Sequence, residues 1–302
     1  MEEIYLDNSA TTRVCEKSAE KVLELMTQCY GNPSSLHKKG LEAQREVAHA
    51  RQAVAVSLGA QPREIIFTSG GTEANNLAVL GGAAAGRRRG KRIVTTAIEH
   101  PSVLEPMRQL EKEGFEVVFL TPDTDGRVPE EAVLKAVTGD TILISVMAVN
   151  NELGSIQPIE VLKKAVKRAG APALVHVDGV QAYGKLPLRP EKLGIDLLTV
   201  SGHKIHGPKG VGALYVSKNA RILPRTFGGG QERELRPGTE AAPLIAGLGA
   251  AVEELLDWRQ AYSRMEKLRD YTLQKLSGLE GVEVNSPVEG LSLIHISEPT
   301  RP

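Results

Sequence analysis

The residues best suited to chemistry in this 302-residue chain stand where short apolar runs end. Ser201-Gly202-His203-Lys204 follows Ile195-Asp196-Leu197-Leu198-Thr199-Val200, which leaves a lysine among small and hydrogen-bonding neighbours at the end of a candidate strand. An ammonium taken out of water must be paired or lose its proton, and the free amine then attacks carbonyl carbons to form imines. A loop lysine turned to solvent would read the same, so its neighbours must decide. Leu174-Val175-His176-Val177-Asp178-Gly179-Val180-Gln181 supplies a carboxylate at the end of another run, with a glutamine three residues on. Lys204 lies one strand-connection-strand unit beyond Asp178, a separation that lets both side chains project from neighbouring strand ends into one cleft.

Three more strand ends carry polar groups. After Phe67, Thr68-Ser69-Gly70-Gly71-Thr72-Glu73-Ala74-Asn75 is a small-residue turn entering a helix whose free amides favour a phosphate, with the Thr72 hydroxyl as an added donor. A plain N-cap by Ser69 or Thr72 is the simpler use of the same residues. After Thr96, Glu99-His100-Pro101 brings an imidazole to a helix start, where it could stack on a planar group or serve only as a cap. Val149-Asn150-Asn151-Glu152 offers an amide at the same edge, or only a turn. Together, a phosphate-ready helix start, a flat ring, a carboxylate and an amine match what pyridoxal phosphate asks of a protein. The lysine would hold it as an imine, and the carboxylate would keep the ring nitrogen protonated so that the ring accepts electrons.

The elements that must position these groups alternate between β-branched runs and longer helical stretches. Strands are expected at 64–67, 92–96, 116–120, 141–147, 174–177, 196–200 and 213–216, and helices at 41–57, 72–80, 102–113, 129–137 and 159–169. This is the pattern of an α/β fold with a mostly parallel central sheet and helices on both faces, whose ligands bind beyond the carboxyl ends of the strands. Residues 243–279 read as one or two long helices with a change of domain inside them.

Bulk composition narrows the function further. Lys+Arg and Asp+Glu are both 37, so no global field recruits nucleic acid or an anionic membrane. The basic run Arg87-Arg88-Arg89-Gly90-Lys91-Arg92 is read as a solvated loop. No apolar stretch reaches the roughly 20 residues of a membrane span, and the amino terminus lacks a signal-peptide pattern, so a soluble cytoplasmic protein is expected. Cys15 and Cys29 form neither a disulfide framework nor a metal-ligand spacing.

The chain resembles the fold-type I pyridoxal-phosphate enzymes and, within them, is similar to the cysteine desulfurases of the class V aminotransferase superfamily. The resemblance is carried, in family order, by Tyr5-Leu6-Asp7-Asn8-Ser9-Ala10-Thr11-Thr12, Gly31-Asn32-Pro33-Ser34-Ser35-Leu36-His37, Phe67-Thr68-Ser69-Gly70-Gly71-Thr72-Glu73, Glu99-His100, Val149-Asn150-Asn151-Glu152, His176-Val177-Asp178, Ser201-Gly202-His203-Lys204 and Gly228-Gly229-Gly230-Gln231-Glu232-Arg233. It implies that Lys204 carries the cofactor and shuttles protons, that Asp178 holds the ring nitrogen, and that His100 stacks on the ring and transfers protons. Gln181 would bond the ring's phenolic oxygen and Asn151 would line the same edge. Gly71, Thr72, Ser201 and His203 would hold the phosphate, joined by Thr239 from the second subunit of a homodimer. No metal is implied. The implied reaction takes sulfur from L-cysteine, leaving L-alanine and an enzyme persulfide that passes to a sulfur acceptor or scaffold protein, for iron-sulfur cluster assembly or tRNA thiolation.

In the family, the nucleophilic cysteine and the arginine that grips the substrate carboxylate belong to a carboxyl-terminal segment that is not recognisable here. Cys15 and Cys29 stand elsewhere and lack its Ser/Gly-rich context, so they are read as ordinary packed thiols. The expected organisation is a large cofactor-binding domain over residues 15–258, a truncated small α+β domain from 1–14 and 259–291, and a foreign tail over 292–302. The expected consequence is a chain that keeps the cofactor contacts and lacks the sulfur-accepting step. The alternatives are another class V enzyme, an aminotransferase or selenocysteine lyase, or a non-catalytic fragment.

Overall fold

A computed structural model describes residues 4–255 and 257–282 of the chain. Its centre is a seven-stranded sheet of β1 (Ile65–Thr68), β2 (Arg92–Thr96), β3 (Glu116–Leu120), β4 (Thr141–Met147), β5 (Leu174–Asp178), β6 (Leu197–Ser201) and β7 (Gly212–Val216), in the order β1-β7-β6-β5-β4-β2-β3. β2 to β6 pair in parallel, and β7 runs antiparallel between β1 and β6. The expected mostly parallel sheet is what forms, with each strand within a residue or so of its expected place.

Strands covered on both faces need apolar side chains in both directions, which is why these runs are continuous rather than alternating. Every residue of β4, β5, β6 and β7 is buried. Ile65, Phe67, Val175, Val177, Leu198 and Val200 pack on one side, against α2 (Lys38–Leu58), α6 (Glu160–Ala169) and α8 (Ala242–Glu253). Ile66, Leu174, Leu197 and Leu214 pack on the other, against α3 (Gly71–Gly86) and α4 (Pro101–Lys112). Asp178, two and four residues beyond His176 and Leu174, shares the α3 side of β5.

Two of the longer helices depart from the sequence expectation. α3 runs six residues past the expected end at 80, through Gly81 and Gly82. A Cβ on Gly81 would stand 2.5 Å from the Leu223 carbonyl oxygen, so the pair lets the helix press close to its neighbours instead of ending it. α1 (Glu16–Thr27) was not expected; only Ser18 and Leu25 are buried on it, too few to write an apolar stripe. The stretch 243–279 forms two helices, within the expected one or two: α8 and α9 (Trp258–Leu276), and none of the described side chains of α9 is buried. The short α5 (Glu130–Ala136) and α7 (Pro190–Leu193) complete the helices named here. The supposed foreign tail at 292–302 lies outside the described residues.

The parallel strands end at one edge of the sheet, so the segments after β2, β4, β5 and β6 meet there, with the start of α3. Residues 9–15 are laced over that edge: Thr12 N–H donates to the His203 carbonyl at 2.8 Å and Cys15 N–H to the His206 carbonyl at 2.9 Å.

Candidate active site

Lys204 closes a 3₁₀ turn (Gly202–Lys204) directly after β6, and Asp178 is the last residue of β5, the strand hydrogen-bonded to β6. Both line a cavity of about 370 Å³, within the range of roughly 300–1,000 Å³ typical of small-molecule sites. Gly71, Thr72, His100, Asn151, Gln181, Ser201 and His203 line it too. Of the residues singled out in the sequence, Thr239 is the one that stays outside, solvent-exposed in this chain.

The Lys204 amine is held by backbone, donating to the carbonyls of Ser9 and of Ala10, the latter at 2.8 Å. Gln181 Nε2 donates to the Ser9 carbonyl at 3.2 Å. Asp178 is 6% exposed; its Oδ1 accepts the Val180 N–H at 2.9 Å and its Oδ2 the Asn75 amide at 2.7 Å. Burial pushes this carboxyl above its ordinary value, while the Val180 and Asn75 donors and the charges of His100 and Lys204 pull it down. The two donors, ahead of the more distant charges, are what keep a carboxylate tenable there.

A corner of the cavity is built for an anion. α3 begins at Gly71 with its first amides unspent within the helix. A Cβ on Gly71 would come within 2.9 Å of Val180 Cγ2, so a side chain would crowd the point where backbone must approach a ligand. Gly70, at φ +146°, holds a backbone conformation that L side chains rarely adopt. Ser201 at the end of β6 and His203 in the turn after it face the same corner, and Lys209 lines a contiguous hollow with Thr11, Ser69 and Thr72. His203 is pushed down to about 4 by burial and by the charges of Lys204, Lys209 and Lys185, so it is neutral at ordinary pH. Glu73 is anchored by the Ser69 N–H and by Arg236, which outweigh its burial and hold it below the usual carboxylate range.

His100 caps α4, its Nδ1 accepting the Ser102 N–H at 3.1 Å, while its ring lines the cavity. The cap and the cleft-facing ring are therefore one arrangement, not alternatives. Its position depends on Glu99, buried one residue earlier, whose Oε1 accepts from Thr96 Oγ1 at 2.7 Å and Met147 N at 2.9 Å. Burial drives the Glu99 carboxyl up to about 8, against those two donors and reinforced by Asp178. Asn150 forms the turn, accepting from the Glu152 and Leu153 amides and donating to the Ile98 carbonyl, which leaves Asn151 to the cavity.

Asn75, Ser9, Ala10 and Glu99 were not given roles from sequence. For Asn75 a signal existed: it lies three and four residues after Thr72 and Gly71, on the same face of α3. For Ser9 and Ala10 none existed, because a carbonyl is common to every residue type.

The residues present fit pyridoxal phosphate on structural grounds. A carboxylate and an amine stand at neighbouring strand ends, an amide-rich helix start and two hydroxyls form the anion corner, and Gln181 and Asn75 each keep a buried amide oxygen without a partner. An unpaired buried acceptor costs roughly 1–3 kcal/mol and is tolerated mostly where function asks for it.

The sheet order, with its cleft at the strand ends, defines a fold-type I α/β enzyme. The class-V aminotransferase family matches residues 4–297. A cysteine desulfurase, IscS, of Dictyoglomus turgidum is 43% identical over 94% of this chain and 72% of its own length. A cysteine desulfurase of a Nostoc species is 44% identical over 95% of the chain and 72% of its own. A solved NifS-like protein superposes with a TM-score of 0.93 at 43% identity, covering 97% of this chain and 80% of that one. A structure of SspA in complex with cysteine gives 0.82 at 37% identity, covering 90% and 78%. The chain belongs to the class V aminotransferase family, on its cysteine desulfurase branch.

Proposed function

We propose that this chain carries the pyridoxal-phosphate half of a cysteine desulfurase acting on L-cysteine. The observation that carries the reading is the placement of Asp178 and Lys204 in one cavity at the ends of adjacent strands, beside an anion corner. When bound, pyridoxal phosphate supplies an electron sink for the charge left on the substrate carbon. Asp178 would hold the proton on the ring nitrogen. Lys204 would link to the cofactor and afterwards move protons at the substrate carbon. His100 would lie against the ring and assist proton transfer, with Gln181 and Asn151 orienting the ring edge. Gly71, Thr72, Ser201 and His203 would bind the phosphate. Thr239, exposed in this chain, would reach the phosphate of the other subunit in a homodimer.

The complete reaction transfers the sulfur of L-cysteine to a protein thiol, giving L-alanine and a persulfide for an acceptor or scaffold protein. Cys15 and Cys29 do not line the cleft, and burial together with Glu46 and Glu42 raises the Cys29 thiol, which weakens it as a nucleophile. We therefore propose that the 302 residues bind the cofactor and stop short of sulfur transfer, with 15–258 as the cofactor-binding unit, 1–14 and 259–291 from a smaller domain and 292–302 as a foreign tail. Among the described residues no helix is long and apolar enough to cross a membrane, in keeping with a cytoplasmic site of action.

The test is spectroscopic. The chain mixed with pyridoxal phosphate should develop the absorbance of a lysine-linked cofactor, and Lys204→Ala should abolish it. A band that survives the substitution sinks the assignment of Lys204. Alanine release from L-cysteine by the 302-residue chain, at the rate of a full-length relative, would refute the missing step.

A further inference from the structure

Asn75 touches two parts of the cleft at once. It is 1% exposed, and Nδ2 places both of its hydrogens inside the site, one on Asp178 Oδ2 at 2.7 Å and one on Ser102 Oγ at 2.9 Å. Ser102 Oγ lies 2.8 Å from His100 Nδ1, and the Ser102 N–H donates to that same nitrogen. The backbone bond makes Nδ1 the acceptor, so the Ser102 hydroxyl also donates to it and a neutral His100 carries its proton on Nε2. Ser102 thus accepts from Asn75 and donates to His100 without conflict.

The orientation of the Asn75 amide has one solution. Turned over, it would set Oδ1 against the Asp178 carboxylate and break both bonds. As it stands, Oδ1 is buried with no partner. A merely structural asparagine would be expected to satisfy both ends, since buried polar atoms almost always find partners.

Given the cofactor reading above, we propose that Asn75 is a positioning residue for the reaction: it holds the Asp178 carboxylate charged and oriented toward the cofactor ring and, through Ser102, fixes the tautomer of His100. Asp178 is faced by Asn75 from α3, by Glu99 and His100 from the segment after β2, by Lys204 from the turn after β6 and by the Val180 amide of its own loop. Of these side chains Asn75 alone is uncharged at every pH, so removing it deletes a donor without changing the charge around the carboxyl. Losing a donor to the charged form raises a carboxyl's proton affinity.

The experiment uses the 302-residue chain, first free of cofactor and then loaded. NMR of the carboxyl carbons and imidazole nitrogens follows Asp178 and His100 through pH. Asn75→Leu is expected to shift the Asp178 titration upward and to change the His100 ring signals. Ser102→Ala is expected to change His100 and leave Asp178 in place, because the Asn75–Asp178 bond survives it. An Asp178 titration that does not move in Asn75→Leu, or moves as far in Ser102→Ala, overturns the proposal. If Asn75→Leu does not fold, Asn75→Ser, too short to reach Asp178, takes its place with the same expected shift. In the loaded chain Asn75→Leu should weaken cofactor uptake roughly tenfold or more, the worth of a hydrogen bond to a charged group. A wild-type chain that takes up no cofactor would sink the reading of the site, whereas the cofactor-free titrations decide the role of Asn75 on their own.

Discussion

The middle and the end of β5 are buried to nearly the same degree and do opposite things. His176 and Asp178, two residues apart on one face, are 0% and 6% exposed. His176 lies between hydroxyls from the flanking strands, Ser145 Oγ at 2.8 Å from Nδ1 and Thr199 Oγ1 at 3.1 Å from Nε2. Both nitrogens are satisfied, no charge faces the ring, and burial pushes it down to about 3, so it stays neutral. Two residues later the strands part into loops. Asp178 finds its donors on a helix and on its own loop, with Lys204 and His100 on neighbouring elements and unpaired amide oxygens nearby. Burial of a polar group therefore does not mark a site. A surplus of charge and of unspent hydrogen-bonding atoms, at the edge where the sheet opens, does.

That contrast can be broken most sharply at the strand's end. Asp178→Ala removes the carboxylate that would pair with the protonated ring nitrogen of the cofactor, and losing one partner of a buried pair costs about 3–5 kcal/mol, so cofactor affinity measured by absorbance titration should fall by roughly 10²- to 10³-fold or more. Unchanged affinity would erase the distinction between the two residues. His176→Leu, in the middle, should leave cofactor uptake intact and cost about 2 kcal/mol in urea unfolding, as the Ser145 and Thr199 hydroxyls lose their partner. A matching loss of cofactor there would show the middle of the strand to be part of the site.

A pH series sharpens the same point. His176 titrates near 6.5 unfolded and about 3 folded, so only the unfolded chain binds its proton between those values. The stability it preserves is complete above pH 6.5 and is lost as pH falls toward 3, by about 1.4 kcal/mol per pH unit. Wild type should therefore lose more stability than His176→Leu over that window, and parallel curves would show the ring to be charged in the fold. The smallest effect belongs to Gly71→Ala, whose Cβ meets a movable Val180 methyl at 2.9 Å. Stability should drop by about 1 kcal/mol, with a slight weakening of cofactor affinity.

Much of the fold was legible because the strands are short, apolar on both faces and closed by polar residues. A buried parallel strand writes itself that way, and the polar residues that end it are the ones delivered to the cleft. The sequence predicts a short α3 because Gly81-Gly82 signals a break in an isolated helix; packing against Leu223 and Leu174 reverses that signal. α1 writes no apolar stripe because only Ser18 and Leu25 are buried on it, and part of its hold on α8 is polar: Ser18 Oγ donates to the Gly247 carbonyl at 2.8 Å.

By itself the sequence determined the reactive types and their places at strand ends: Lys204 after β6, Asp178 closing β5, His100 after β2, Gly71-Thr72 opening α3. Only the tertiary structure decided what holds them. The carbonyls that receive Lys204 come from Ser9 and Ala10, nearly two hundred residues away. The amide that orients Asp178 comes from a helix about a hundred residues earlier, and the same amide reaches His100 through Ser102. Side-chain chemistry is written locally in residue types, whereas a hydrogen bond between distant segments depends on the path of the chain, which no short stretch encodes.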